Sequence, residues 1–446
     1  MKHDVPHILL VNPWIHDFAA YDFWAKPMGL LSIAALLRSH GVSVSYVDCL
    51  NRFHPKSTAS DPSARYGRGP YLKTRISKPA ILKDIPRYFS RYGIPPQWFR
   101  EDLQAQDRPD LIMVTSLMTY WYPGVRETIQ HIKSIFPKTP IVLGGIYARL
   151  CTEHAQTYSG AHQVFVEPAE DNIFSLIRSH TQFSITPKFD PENLDSYPWP
   201  ALDLQTKINY VPLQTSRGCP FKCSYCASYL LEPKRMLRGP ESIMEEIEYW
   251  HKKYELNDFV LYDDAFLVDA EQHAIPMLER IIESNIKVRF HTPNAVHIRG
   301  INNSIARLML KAGFTTLRLG LETAEFDHRQ ELDKKVSEEE FMRAFNCLIK
   351  AGFVKNQIGA YLLVGLPGQT SASEEYSIQF VKQNGITPVP AYYTPIPRTN
   401  LWPKAVAASR YNLESDPIFT NNAILPCQKE PFAWKKITRL KELVKS

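Results

Sequence analysis

The sequence predicts an α/β protein in two parts, a doubly wound parallel domain followed by a partial barrel of six β/α units. Three observations carry this. Short apolar runs, partly β-branched, alternate with helical patterns over residues 7–181. The alternation resumes at regular intervals over 210–400, as strands of a parallel sheet with covering helices require. Between them, residues 182–209 are polar and studded with Pro187, Pro191, Pro198 and Pro200, and read as a linker. A chain of 446 residues suits two or three domains, each with its own core.

The elements follow in order. His7–Asn12 is a buried-strand pattern, followed by an aromatic loop. Pro27–Arg38 reads as a helix stopped at Gly41, and Val42–Val47 as the next strand, ending at Asp48. Strand, helix, strand implies a parallel pair. Residues 50–108 are a basic, proline-studded insertion with some helix expected near Ile81–Tyr92. Such a long excursion is either a solvated loop or a functional one. The sheet resumes at Asp110–Ser116, with a helix at Tyr122–Phe136 and a strand and glycine turn at Pro140–Gly145. A helix near Glu153–Tyr158, a strand at Gln163–Val166 and a helix near Asp171–His180 complete a Rossmann-like domain over 1–181. Ligands of such sheets sit beyond the carboxyl ends of the strands. Those ends carry Asn12, Thr115-Ser116-Leu117 and Gly144-Gly145.

Residues Leu194–Leu202 of the linker are expected to pack on the barrel mouth. Barrel strands are read at 211–215, 258–262, 287–291, 315–320, 357–363 and 389–393. The helices between them fall near 240–253, 270–284, 302–312, 337–351 and 371–384. Barrels of this kind work at the carboxyl ends of their strands. Residues 401–446 form a C-terminal extension with a basic helix near its end. Its Trp402, Cys427 and Trp434 either cap the substrate side or simply pack.

Composition bounds the setting. Apolar content of 44% with 22% charged residues is that of a soluble globular chain. The sequence lacks an apolar run of about 18 residues, so no transmembrane helix is read. The run His7–Val11 is too short for a signal peptide, and the cytoplasm is the expectation. Seven cysteines, three of them clustered, suit a reducing compartment and a metal site rather than a disulfide frame. A net charge of +6 permits an anionic substrate or cofactor and does not argue for nucleic acid. A membrane partner is not expected.

The clustered cysteines are Cys219, Cys223 and Cys226, spaced C-x3-C-x2-C just after the first barrel strand. Gly218 and Pro220 make this segment a loop. Three thiolates can each take one iron of a [4Fe–4S] cubane, leaving the fourth iron open. A structural zinc site wants four closed ligands, commonly in two pairs. Here Cys49, Cys151, Cys347 and Cys427 are scattered singly. A ferredoxin-type carrier would supply a fourth cysteine and a smaller chain.

With Tyr225 before the last cysteine, this loop resembles the cluster loop of the radical S-adenosylmethionine (radical SAM) superfamily. The resemblance implies S-adenosylmethionine on the open iron and its reductive cleavage to a 5′-deoxyadenosyl radical. Residues 1–181 resemble the cobalamin-binding domain that precedes the barrel in one branch of that superfamily. On that resemblance Asn12, Thr115, Ser116, Leu117, Gly144 and Gly145 would border cobalamin. The Asp-x-His-x-x-Gly signature is absent around His16, which implies cobalamin without a histidine ligand.

In the barrel, Asp263 and Asp264 occupy the position that, in the resembling branch, lies beside the S-adenosylmethionine amine. Their plainer role is a helix N-cap, which Asp269 also fits. Glu322 resembles the ribose contact, and Gly365-Leu-Pro367-Gly the adenine-side turn. Arg318 either reaches the S-adenosylmethionine carboxylate or faces outward. His291–Asn294 and Tyr392–Pro397 end strands at the same mouth and are nominated for substrate or cofactor contacts.

The resemblance implies cobalamin-dependent methyl transfer to an unactivated carbon of a small-molecule or peptide substrate. An external electron donor such as flavodoxin or ferredoxin would serve it. The alternatives are a cobalamin-independent radical rearrangement, cyclisation or oxidation, and a non-enzymatic iron–sulfur carrier or regulator.

Overall fold

The computed structural model describes residues 5–58, 61–326, 332–333, 336–428 and 435–445. Trp434 lies outside the described residues. Contacts divide the chain into two compact units, residues 1–209 with 415–419, and residues 210–414 with 420–446.

The first unit contains eight strands among its described residues: β1 (His7–Asn12), β2 (Ile15–Asp17), β3 (Ser43–Asp48), β4 (Lys73–Ile76), β5 (Phe89–Tyr92), β6 (Leu111–Val114), β7 (Ile141–Leu143) and β8 (Gln163–Val164). Five of them form a parallel sheet in the order β3-β1-β6-β7-β8. The chain reverses its direction of travel between β1 and β6, which is where a doubly wound sheet opens a crevice. Every residue of β1 and β6 is buried, because helices cover both faces. On one face, Ile8, Leu10, Leu111 and Met113 pack with Leu30, Ala34 and Leu37 of the helix Met28–Ser39 and with Ile173 and Ile177 of the helix Ala169–Thr181.

Two expectations fail in this unit. Residues 81–92 are not helical: Ala80–Leu82 is a single 3₁₀ turn and Phe89–Tyr92 is β5. β5 is the centre of a small antiparallel sheet, paired with β2 on one side and β4 on the other. Pro86 lies inside the expected helix, where it removes a backbone donor and clashes with the preceding turn. The linker, in turn, does not reserve itself for the barrel mouth. Ala201 joins the core of the first unit, with Phe183, Ile185, Phe189 and Leu204 packed against it. The Ala201 N–H donates to the Leu31 carbonyl at 3.0 Å, and Arg38 pairs with Asp203 at 2.9 Å.

The second unit is built on β9 (Val211–Leu213), the short pair β10 (Ser216–Arg217) and β11 (Met236–Leu237), then β12 (Asp258–Leu261), β13 (Arg289–His291), β14 (Phe314–Glu322), β15 (Ile358–Val364) and β16 (Thr387–Tyr392). β9 and β12 to β16 lie side by side in chain order, all parallel, as a six-stranded partial barrel requires. Helices at Pro240–Tyr254, Ala274–Glu283, Asn303–Ala312, Glu338–Ala351 and Ser371–Gln383 make the crossovers. Their starts are written locally. Asn302 and Thr370 cap the third and fifth, and Ser337 with Glu340 forms a capping box on the fourth. Phe290 and Phe314 stack at 5.2 Å between ring centroids in the barrel core.

Candidate active site

The cysteine loop leaves β9 through a buried polar knot. Thr215, Ser216 and Asp263 are almost wholly buried. The Asp263 carboxylate accepts from the Thr215 N–H at 3.2 Å, the Thr215 hydroxyl at 2.7 Å and the Ser216 hydroxyl at 2.5 Å. His273 Nε2 lies 2.8 Å from the same Thr215 oxygen. Because the Thr215 proton goes to Asp263, the histidine must donate there. β10 then pairs with β11, and Gly218 turns with φ near +75°. A Cβ at Gly218 would sit 2.4 Å from the Lys234 carbonyl oxygen, so only glycine fits. Arg235 ties the loop to the chain after β12, donating to the Gly218, Ala265 and Val268 carbonyls at 3.1, 3.2 and 2.9 Å.

All three cysteines of the triad then line one cavity of about 340 Å³. None is in a disulfide. Tyr225, Asp264, Asn294, Gly320, Glu322 and Tyr361 share that cavity. The donor set fits a cubane: three thiols line the cavity together with oxygen and nitrogen groups. Among the described residues no three His, Cys, Asp or Glu side chains gather as a single-ion site would require. A cubane needs no such convergence, since each thiolate takes a different iron. The Ser228 N–H donates to Cys226 Sγ at 3.4 Å.

The walls have distinct electrostatics. Burial raises the Asp264 carboxyl, Asp263 adds to the rise, and a hydrogen bond from Ser228 opposes it. Burial, with the Glu322 charge second, pushes the Tyr225 phenol well above its ordinary value. Glu322 ends β14 with φ near +63°, at a register shift against β15. A non-glycine residue held there is strained, and such strain concentrates at functional positions. Asn294 donates to the Tyr262 carbonyl at 3.1 Å.

Other sequence-nominated residues are placed elsewhere. Asp263 does not line the cavity, its carboxylate being taken up beneath the loop. His291 is fully buried, bonded to Asp258 and Thr316 at 3.0 Å each, and is a wall residue. The Gly365 N–H donates to Gln369 Oε1 and Glu374 Oε1 at 2.8 and 3.0 Å. Pro367 lines a separate cavity of about 340 Å³ with Thr323, Glu325 and Lys404. Arg318 donates to the Leu317 carbonyl at 2.9 Å. The sequence reading passed over Thr215, Ser216, His273 and Arg235. No motif marks them, and only the fold brings them under the loop.

In the first unit the strand ends form an edge. The Asn12 amide donates to Asp48 at 2.7 Å, and the Thr115 N–H to the Val11 carbonyl at 3.2 Å. The buried Ser116 hydroxyl donates to the Gly144 carbonyl at 2.6 Å. Gly145 has φ near +93°, and a Cβ there would lie 2.2 Å from the Ser116 carbonyl oxygen. Gly145 is therefore demanded by the chain itself. Gly144 differs: a Cβ on it would meet nothing within 4 Å, so it faces open space. Leu117 and Met118 stand exposed beside this edge at 42% and 38%. An open, glycine-floored, apolar-rimmed strand edge fits a broad flat ligand.

His16 is engaged elsewhere, with Nε2 2.6 Å from Glu127, which Arg91 also holds. Burial works to raise the Glu127 carboxyl, but the hydrogen bonds from His16 and Arg91 outweigh it and hold it at about 2, against an ordinary 4.5. The unfolded chain therefore protonates Glu127 first as pH falls. Its contribution to stability is complete above about pH 4.5 and is lost on the way to about pH 2. Urea midpoints at pH 5 and pH 3 are expected to differ more for wild type than for Glu127→Gln. The difference should be on the order of 1–2 kcal/mol, partial exposure screening the rest. Equal pH slopes in the two proteins would refute it.

Comparison with known proteins agrees with the two-part geometry. The radical SAM superfamily model matches residues 213–381, and the B12 binding domain model matches residues 94–176. An uncharacterised methyltransferase of Pyrococcus horikoshii, PH0819, is 28% identical over 264 residues, 57% of this chain and 52% of that one. The anaerobic magnesium-protoporphyrin IX monomethyl ester cyclase of Rubrivivax gelatinosus is 24% identical over 328 residues, 66% of this chain and 58% of that one. The chain thus spans about half the length of the curated relatives it matches. Among solved structures, the radical S-adenosylmethionine methyltransferase TsrM of Kitasatospora setae superposes with a TM-score of 0.65 at 15% identity, over 91% of this chain and 77% of that one. A radical SAM barrel preceded by a B12-binding domain is the class these matches define. The chain therefore carries a B12-binding domain followed by a radical SAM domain.

Proposed function

We propose that this chain is an enzyme that reductively cleaves S-adenosylmethionine and transfers a methyl group, with cobalamin, to an unactivated carbon of a small-molecule or peptide substrate. The observation that carries the reading is the shared cavity, lined by three cysteines together with Asp264, Asn294 and Glu322. When bound, the [4Fe–4S] cluster supplies the electron that breaks the sulfonium bond, and cobalamin supplies the methyl group. The chain's own residues bind and orient. Cys219, Cys223 and Cys226 would hold the cluster and leave one iron facing the cavity. Asp264 would accept from the S-adenosylmethionine amine, and Glu322 would offer paired acceptors to the ribose hydroxyls. Tyr225 would pack beside them, its phenol kept protonated by burial. Gly365 and Pro367 would shape the turn toward the adenine side. The enclosing walls keep water from the reacting carbon and hold it close to its target. In the first unit Asn12, Thr115, Ser116 and Leu117 would border the corrin, Gly144 would admit the nucleotide tail, and Gly145 would keep the edge open. The electron would come from an external donor such as a flavodoxin or ferredoxin.

A radical cyclisation without methyl transfer is the second reading, favoured by the likeness to the Rubrivivax cyclase. Product analysis separates the two. Anaerobic turnover yielding S-adenosylhomocysteine together with 5′-deoxyadenosine supports methyl transfer. 5′-Deoxyadenosine alone selects the second reading, and neither product rejects both.

Glu322 gives a sharper check. Glu322→Gln keeps the shape but gives up the charge that strengthens hydrogen bonds to two hydroxyls. S-adenosylmethionine should bind about tenfold more weakly, a loss of about 1.4 kcal/mol, with iron content unchanged. Unaltered binding by equilibrium dialysis would remove Glu322 from the cofactor site.

A further inference from the structure

The C-terminal extension ends in a helix, Lys435–Lys445, that packs against the crossover helix Ser371–Gln383. Leu440 is its buried residue. Three polar contacts join the two helices. Arg439 reaches both oxygens of Glu375, with Oε2 at 2.8 Å. Lys382 Nζ donates to the Leu443 carbonyl at 2.7 Å. The third contact differs in kind. Lys436 Nζ lies 2.9 Å from Glu374 Oε2, where the Glu374 side chain is fully buried and that of Lys436 is 14% exposed. Lys436 also donates to Gln428 Oε1 at 3.0 Å. The Arg439 side chain, by contrast, is 66% exposed, and a surface pair of that kind contributes little.

Glu374 carries the contact inward. Its other oxygen, Oε1, accepts from the Gly365 N–H at 3.0 Å. Gly365 opens the turn after β15 with φ near +86°. Gln369 Oε1 accepts from the same N–H at 2.8 Å and from the Leu366 N–H at 3.1 Å. One acceptor of the turn is therefore local, and the other answers to the C-terminal helix. A second part of the extension meets the same glycine. A Cβ on Gly365 would lie 2.7 Å from Leu425 Cδ2. Leu425 is fully buried, and Arg410 donates to its carbonyl at 3.1 Å. Burial raises the Glu374 carboxyl, and Lys436 opposes the rise. A carboxylate accepts a hydrogen bond more strongly than a neutral carboxyl does. Lys436 thus strengthens the bond to Gly365 without touching the turn.

We propose that Lys436 is a positioning residue for S-adenosylmethionine: through Glu374 it holds the Gly365 turn in the shape that the adenine side requires. The inference rests on the cofactor reading above, which places Gly365 and Pro367 on that side.

The test uses the full chain, reconstituted anaerobically with iron and sulfide, and follows S-adenosylmethionine by equilibrium dialysis. Lys436→Met strands a buried carboxylate without its counter-charge. It should bind S-adenosylmethionine about tenfold more weakly, with iron content unchanged. Amide hydrogen exchange at Gly365, read without cofactor, should be faster in the same variant. The combined Glu374→Gln, Lys436→Met protein removes the stranded charge and keeps an acceptor oxygen for the Gly365 N–H. It should recover most of the lost affinity. Arg439→Gln cuts the exposed pair between the same two helices and should match wild type in both measurements. Lys436→Gln serves if Lys436→Met does not fold. Wild type that binds no S-adenosylmethionine would overturn the cofactor reading and the inference with it. Wild type that binds, with Lys436→Met binding equally well, would overturn the inference alone. An equal loss in Arg439→Gln would also overturn it, since helix docking would then be the cause.

Discussion

Cys223→Ala protein, reconstituted anaerobically with iron and sulfide, is expected to retain less than about a tenth of the roughly four irons per chain that a cubane brings. It should release no 5′-deoxyadenosine. Cys223 is the buried member of the triad, at 4% exposure, and Cys219 and Cys226 are partly buried. Two remaining thiolates cannot anchor three irons. Removing one sulfur from a loop at a cavity edge deletes little packing, about 1 kcal/mol, so the cluster-free variant should melt close to cluster-free wild type. That pairing separates loss of the cluster from loss of the fold. Wild-type iron in the variant would sink the cluster assignment. One zinc per chain in anaerobically purified wild type would sink it for the protein as a whole.

The barrel was legible because its strands are buried on both faces and read as apolar runs. β12, read at 258–262, is Asp258–Leu261, and β15, read at 357–363, is Ile358–Val364. The small sheet of the insertion was not legible. β5 pairs locally with Lys73–Ile76 but finds its other partner at Ile15–Asp17, and no local pattern announces a pairing across that sequence distance. The linker misled for a related reason. Phe183, Ile185 and Phe189 sit among prolines without a period, so their packing on the first core carries no sequence signature. In the site, the triad was visible because metal chemistry constrains spacing. The roles of Asp263 and Asp264 were not separable, because side-chain direction at a strand end depends on the fold. The structure sends Asp264 into the cavity and Asp263 beneath the loop.

Asp263 is expected to control the cluster from outside its cavity. Its carboxylate gathers the Thr215 N–H, the Thr215 hydroxyl and the Ser216 hydroxyl, three donors in the two residues that lead into the triad. Asp263→Ala leaves those donors buried without an acceptor, a cost of about 3 kcal/mol. For a unit of this size that lowers the melting midpoint by on the order of 10 °C. Asp263→Asn keeps one acceptor oxygen but turns an NH₂ group toward donors, and should fall between wild type and Ala. The loss of order should pass along β10 to Cys219, so both variants should reconstitute with less iron and release it faster to a chelator. Asp264→Asn is the contrasting case. Its side chain faces the cavity, and it should hold full iron while binding S-adenosylmethionine more weakly. If Asp263→Ala melts low but keeps wild-type iron and chelator kinetics, the knot supports the barrel alone. If Asp263→Asn loses S-adenosylmethionine affinity with iron and melting unchanged, the carboxylate contacts the cofactor directly and the positioning role is wrong.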